Sequence, residues 1–233
     1  MNKLAVVTGG TKGIGRAIIE RFAEAGFDIA TCARKEAELN ELKLAIEKKH
    51  PVKVTICLAD MSNKDQIQQF AEKVKQLQPV DVLVNNAGYF IPGSVLDEAD
   101  GALESMINTN LYSAYHLSRL LVPAMRARKS GHVFNMCSIA SIMAYPNGGS
   151  YAISKFALLG FSKVLREELK AHGVRVTSVL PGATLTASWD GVDLPDERLM
   201  KPEDVAETIF SAYSISKRSV VEEILIRPQL GDL

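Results

Sequence analysis

Tyr151 and Lys155, the first and last residues of YAISK, stand four positions apart, one turn of a helix. A phenol titrates near about 10 and exchanges protons poorly at neutral pH. A neighbouring ammonium lowers an acid's pKa by about 1 to 3 units. Lys155 is therefore expected to make Tyr151 acidic enough to give a proton to a carbonyl oxygen and to take one back from an alcohol. Ser138, 13 residues before Tyr151, could hydrogen-bond the same substrate oxygen and steady its developing charge. Each residue also has a plain structural reading, since a serine can cap a turn and a tyrosine can sit at a core edge. The spacing alone identifies nothing, because YSISK, Tyr213 to Lys217, repeats it.

The second chemical feature is TGGTKGIG, Thr8 to Gly15, which follows an apolar run and opens a helical pattern. Gly9, Gly13 and Gly15 remove side chains where a backbone must turn sharply and approach a pyrophosphate, and the helix start offers free amides and a positive dipole end. Arg16 and Ala17 follow Gly15, so this is not the lysine-bearing loop of nucleoside triphosphatases.

The elements that must position these residues are legible as alternation. Apolar, β-rich runs at 4–8, 27–33, 52–58, 80–86, 132–138, 174–180 and 221–227 alternate with helical patterns at 13–25, 36–49, 64–77, 101–128, 150–171 and 202–214. This predicts βαβ units around a parallel sheet covered on both faces, an α/β doubly wound fold in three α/β/α layers. Ligands of such sheets bind beyond the carboxyl ends of the strands. Tyr151, after the run ending at Ser138, lies on that edge. Tyr213 precedes the last run and belongs to the opposite edge, so Tyr213 and Lys217 are expected to form a solvated helix end.

The glycine spacing Gly-x-x-x-Gly-x-Gly resembles that of the short-chain dehydrogenase/reductase family. Further matches follow in order: Asp60 after the third run, NNAG from Asn85 to Gly88, then Asn110, Ser138, Tyr151 with Lys155, and Pro181-Gly182. The resemblance runs from Leu4 to about Pro228. It implies a Rossmann fold with a seven-stranded parallel sheet and an oxidoreductase that transfers hydride between a carbonyl or alcohol and a nicotinamide. It implies Asn110, Ser138, Tyr151 and Lys155 as the catalytic set, with Lys155 on the nicotinamide ribose and a water held by Asn110 and Lys155. For the cofactor it implies Gly9, Thr11, Lys12, Gly13, Ile14 and Gly15 at the pyrophosphate and Asp60 and Met61 at the adenine. It adds Asn86, Ala87 and Gly88 under the cofactor and Pro181, Gly182 and Thr184 near the nicotinamide.

The second run ends Cys32-Ala33-Arg34-Lys35, with no carboxylate before Glu36 to hold a ribose 2′-hydroxyl. Arg34 and Lys12 offer cationic donors for a 2′-phosphate, so NADP(H) is the expected cofactor. Tyr89, Phe90, Ile91, Ile142, Met143 and Tyr145 could line an apolar substrate pocket. Residues 183–201 resemble the family's substrate flap, with Leu185, Trp189, Leu194 and Leu199 facing inward. No basic residue precedes Arg198 there, which fits a small or medium neutral ketone, aldehyde or secondary alcohol. The tail VEEILIRPQLGDL departs from the glycine-rich ending of 3-oxoacyl carrier-protein reductases. It looks more like the sepiapterin-reductase-like and short hydroxy-acid dehydrogenase branches. A 3-oxoacyl reductase-like activity and a silent dinucleotide-sensing regulator remain the alternatives.

Composition narrows the rest. The 233 residues suit one domain, spanning 1–233 with its flap. The 27 basic and 27 acidic residues cancel, which argues against nucleic acid or an anionic membrane as partner. Cys32, Cys57 and Cys137 lie in apolar runs without a Cys-x-x-Cys pair, which suits a reducing, cytoplasmic setting. No Gly-x-Ser-x-Gly elbow marks a hydrolase, and the four histidines show no metal-ligand spacing. The helices at 101–128 and 150–171 carry more apolar surface than one sheet face needs, which predicts a homodimer or homotetramer, as in relatives of the family.

Overall fold

The computed structural model describes residues 2–186, 189, 191 and 194–232. Strands β1 (Leu4–Thr8), β2 (Asp28–Ala33), β3 (Val54–Leu58), β4 (Val80–Asn85), β5 (Gly131–Met136), β6 (Val174–Pro181) and β7 (Glu223–Ile226) form one sheet in the order 3-2-1-4-5-6-7. Every adjacent pair is parallel. Helices α1 (Gly13–Glu24), α2 (Glu36–Lys49), α3 (Lys64–Lys75), α4 (Ala102–Ile107), α5 (Ser113–Ala127), α6 (Gly149–Leu169) and α7 (Pro202–Ser214) make the crossovers. The doubly wound α/β fold expected from alternation is present, with the seven parallel strands that the family resemblance implied.

Strand periodicity distributes the core between two faces. In β1, Ala5 and Val7 pack towards Ile18 and Phe22 of α1 and Ile209 of α7. Leu4 and Val6 face the other way, towards Phe70 of α3 and Leu117 of α5. A strand buried on both faces must be apolar throughout, and β1 is buried at all five positions. The sheet order reverses between β1 and β4, and the crevice opening there at the carboxyl ends is the site the topology provides.

Two elements differ from expectation. The helix predicted at 101–128 is interrupted by a wide π-type turn at Asn108–Tyr112. The extra residue in that turn swings Asn110 inward, where it is 1% exposed. Strand β5 ends at Met136, so Ser138 lies beyond it and begins a short 3-10 turn, Ile139–Ser141.

Tyr213 is not a solvated helix end. It lies at the amino edge of the sheet as expected, but packs edge-on against Phe22 and Phe27 at 5.8 and 5.4 Å, and its hydroxyl accepts from Lys3 Nζ at 3.1 Å. A tyrosine with an apolar body and a wet tip gains by that placement. Lys217 is exposed.

Candidate active site

The cradle begins with Thr8 at the end of β1. Its hydroxyl accepts the amides of Asn86 at 3.0 Å and Ala87 at 2.9 Å. The Asn86 side chain in turn donates to the carbonyls of Thr8 (2.9 Å) and Gly9 (3.2 Å). NNAG thus acts first as a clip that fixes the loop after β4 against the loop after β1. A Cβ on Gly15 would lie 2.3 Å from the Gly9 carbonyl oxygen, so only glycine lets α1 start this close to the turn. Gly13 has φ +51°, and a Cβ on it would lie 3.1 Å from the Thr186 side chain. Thr186 was not among the sequence candidates. Thr184, which was, donates its hydroxyl to the Gly182 carbonyl at 3.0 Å. No side chain caps α1, which leaves its first-turn amides facing the crevice.

After β3, Asp60 accepts the amide and hydroxyl of Ser62 at 2.9 and 2.8 Å. Burial raises its pKa, but these bonds and the charge of Arg34 outweigh it and hold the carboxyl below its usual range. Met61 beside it is buried. Arg34 is exposed at the rim. Between the end of β2 and Glu36 there is no carboxylate, but the first turn of α2 folds Glu38 back to Lys12, at 3.0 Å, and Lys35, at 3.3 Å. Glu38 also accepts from Thr11 Oγ1 at 3.2 Å.

The predicted catalytic residues converge beyond β5. Ser138 opens its turn with its amide donating to Ser141 Oγ and its own Oγ accepting the Ala140 amide, each at 3.1 Å. Tyr151, in the first turn of α6, is half-buried, with Ser138 near enough to favour the ionised form of its phenol. Phe90 meets its ring edge-on at 4.9 Å. Lys155 is buried, and its Nζ lies 5.7 Å from the Tyr151 ring centroid while donating to the Met136 carbonyl at 2.8 Å. Asn110 brackets this group: Oδ1 accepts the Tyr89 amide at 2.9 Å, and Nδ2 donates to the Tyr89 carbonyl at 3.1 Å and to Ser154 Oγ at 2.9 Å. A Cβ on Gly88 would come within 3.0 Å of Asn110 Oδ1 and 3.4 Å of Lys155 Nζ, which places NNAG directly under the two.

The electrostatics correct one expectation. Tyr151 is raised, not lowered: burial pushes the phenol up, and the Ser138 hydrogen bond opposes this without reversing it. Lys155 Nζ lies over the Tyr151 ring, and its own burial brings the ammonium down to about 8. The phenol is therefore protonated at neutral pH, the form that can donate.

Two positioning features, one residue and one buried network, were not among the sequence expectations. Glu98, after β4, accepts the Ser150 amide at 2.8 Å and also the Ser150 hydroxyl, and so ties down the start of α6 next to Tyr151. Beneath the site a buried chain links Ser118, Asn85, Asn135, Ser162 and Ser178 through bonds of 2.8 to 3.1 Å. Of the proposed pocket residues, Ile91, Ile142, Met143 and Tyr145 are 37 to 48% exposed among the described residues. In the segment 183–201, expected to form a flap, Leu199 is buried and the Leu185 amide donates to the Met200 carbonyl at 2.8 Å, but Leu185, expected to face inward, is exposed. Arg198 turns away to the tail carbonyls of Gly231 and Asp232. Among the described residues no cluster of metal-ligating side chains occurs, and no helix is long and apolar enough to cross a membrane.

Comparison with known proteins agrees with this arrangement. Residues 3–195 match the model of the short chain dehydrogenase family. The chain is 34% identical to a sepiapterin reductase from Chlorobaculum tepidum, over 100% of this chain and 99% of that one. Among solved structures it resembles an alcohol dehydrogenase from the archaeon Thermococcus sibiricus complexed with 5-hydroxy-NADP (TM-score 0.91, 25% identity, 98% and 97% of the two chains). It also resembles L-sorbose reductase from Gluconobacter frateurii complexed with NADPH and L-sorbose (TM-score 0.88, 29% identity, 97% and 95%). The chain belongs to the short-chain dehydrogenase family of oxidoreductases.

Proposed function

We infer that the protein, acting as one dinucleotide-binding and catalytic unit, is an NADP(H)-dependent oxidoreductase that interconverts a small or medium carbonyl compound and its alcohol. The observation that carries this reading is the convergence of Tyr151, Ser138 and Lys155 beyond β5, where a Cβ on Gly88 of the NNAG clip would lie 3.4 Å from Lys155 Nζ. The residues present fit such a cofactor. The uncapped start of α1 offers amides to a pyrophosphate, and Lys12, Arg34 and Lys35 are the cations that would hold an adenosine 2′-phosphate. Relatives of similar fold are NADP or NADPH complexes, which supports the same choice here. Bound nicotinamide supplies or accepts the hydride.

The chain's own groups supply the rest. Ser138 and Tyr151 hold the substrate oxygen between them, and Tyr151 passes its hydroxyl proton to that oxygen as the carbonyl is reduced. Lys155 offsets the negative charge left on the phenol and can hold ribose hydroxyls. Asn110 has committed its side chain to Tyr89 and Ser154, so a water held with Lys155 falls to its main-chain carbonyl. Phe90, edge-on to Tyr151, and the exposed Ile91, Ile142, Met143 and Tyr145 offer a surface to the apolar part of a substrate.

A panel of ketones and aldehydes followed by NADPH absorbance tests this reading. Consumption with at least one neutral carbonyl, and slower consumption with NADH, is the expected result. Tight NADPH binding with no turnover across the panel would replace it with a dinucleotide-sensing regulator.

A further inference from the structure

Glu38 is a carboxylate held by the cations that the cofactor reading assigns to a phosphate. Its Oε1 lies 3.0 Å from Lys12 Nζ and 3.3 Å from Lys35 Nζ, and its Oε2 accepts from Thr11 Oγ1 at 3.2 Å. These partners come from two places, the turn before α1 and the start of α2, so they form a built cluster and not a chance pair on one helix. The group is unequal in exposure: the lysine side chains are 65% and 72% exposed, whereas Glu38 is 25% exposed. The carboxylate is thus the inner member, with the ammonium groups reaching in to it from solvent.

We propose that Glu38 is an internal stand-in for the adenosine 2′-phosphate, which competes for Lys12, Lys35 and Thr11 and so sets how strongly the protein prefers NADP(H) over NAD(H). The inference rests on the cofactor reading above. A 2′-phosphate carries more charge and more acceptor oxygens than one carboxylate, so it can displace Glu38, but part of its attraction is spent in doing so. A 2′-hydroxyl has no such call on the lysines and leaves the cluster intact. Glu38 therefore weakens NADP(H) binding selectively, although it bears no sequence hallmark of a cofactor residue.

Dissociation constants of NADPH, NADH, 2′,5′-ADP and 5′-AMP, measured by calorimetry at low salt for the wild type and Glu38→Gln, test the idea. Gln keeps the shape and removes the charge. The expected result is NADPH and 2′,5′-ADP binding tightened by roughly three- to ten-fold, the scale two exposed ion pairs can supply, with NADH and 5′-AMP changed less than about two-fold. The gain should shrink as salt screens the lysines. Glu41→Gln, which removes a carboxylate from the same helix at 3.8 Å from Arg16, should leave all four constants in place. If Glu38→Gln leaves NADPH unchanged or weakens it, or moves NADH equally, the stand-in role is wrong. Wild-type protein binding NADPH no tighter than NADH would instead overturn the cofactor reading, and this inference with it.

Discussion

Tyr151 shows how far type and spacing can mislead about a single group. The four-residue interval to Lys155 suggested an acidic phenol, but the ammonium sits over the ring face and donates to Met136, while burial raises the phenol. The consequence is directional. A protonated Tyr151 is ready to donate, so carbonyl reduction should proceed at neutral pH, and alcohol oxidation, which needs the phenolate, should climb on the alkaline side. Lys155 adds a second limit, because a group brought down to about 8 is charged below that pH and neutral above it. We expect kcat/KM for reduction to be level through neutrality and to fall above about pH 8, read from steady-state rates over a pH series with the fold checked by circular dichroism. A profile level to pH 10 would remove Lys155 from the titrating machinery.

Elements were more legible than the contacts between them. The cradle could be found because strand, glycine turn and helix are contiguous in the chain. Asn110, Ser138 and Tyr151 could be placed at the carboxyl edge because a parallel sheet forces the ends of its crossovers there. Glu38 and Glu98 could not be found in this way. Glu38 reaches Lys12 only after α2 has wound, and Glu98 reaches Ser150 across 52 residues of sequence. The inward swing of Asn110 likewise depends on one extra residue in a helical turn, for which the apolar period gives no signal. Glu98 carries the element-scale prediction. Glu98→Ala leaves the amide and hydroxyl of Ser150, which is 2% exposed, without their acceptor at the start of α6. The expected loss is about 1 to 2 kcal/mol in urea unfolding, with a larger fall in kcat than in cofactor affinity, because Tyr151 rides on that turn. Equal stability and kcat would show that α6 needs no such tie.

For the molecule as a whole, the amino edge of the sheet sets a pH limit that has nothing to do with catalysis. His132 is fully buried in β5, stacked on Phe134 at 3.9 Å and joined to Thr177 Oγ1 at 2.7 Å, with Arg175 adding like charge. Burial first, and Arg175 second, hold it well below 6.5. A base whose folded pKa is depressed binds fewer protons folded than unfolded, so its contribution is intact above about 6.5 and is lost as pH falls below that value. Unfolding free energy should drop between about pH 6.5 and 5 with a slope of up to about 1.4 kcal/mol per unit, shared in small part by His116, and His132→Asn should flatten it. An unchanged slope in that variant would assign the acid limb to other groups. The exposed apolar residues Tyr112, Ile153, Phe156 and Val164 on the π-type turn and α6 support the expected homo-oligomer. Light scattering at micromolar protein should give a dimer or tetramer mass, and a monomer would contradict it. The central claim, that the Tyr151 hydroxyl proton travels to the substrate, is tested most directly by comparing kcat and the NADPH dissociation constant of Tyr151→Phe with those of the wild type. The account predicts a fall in kcat of at least about 100-fold with the dissociation constant changed less than about three-fold, and turnover within a few-fold of the wild type would contradict it.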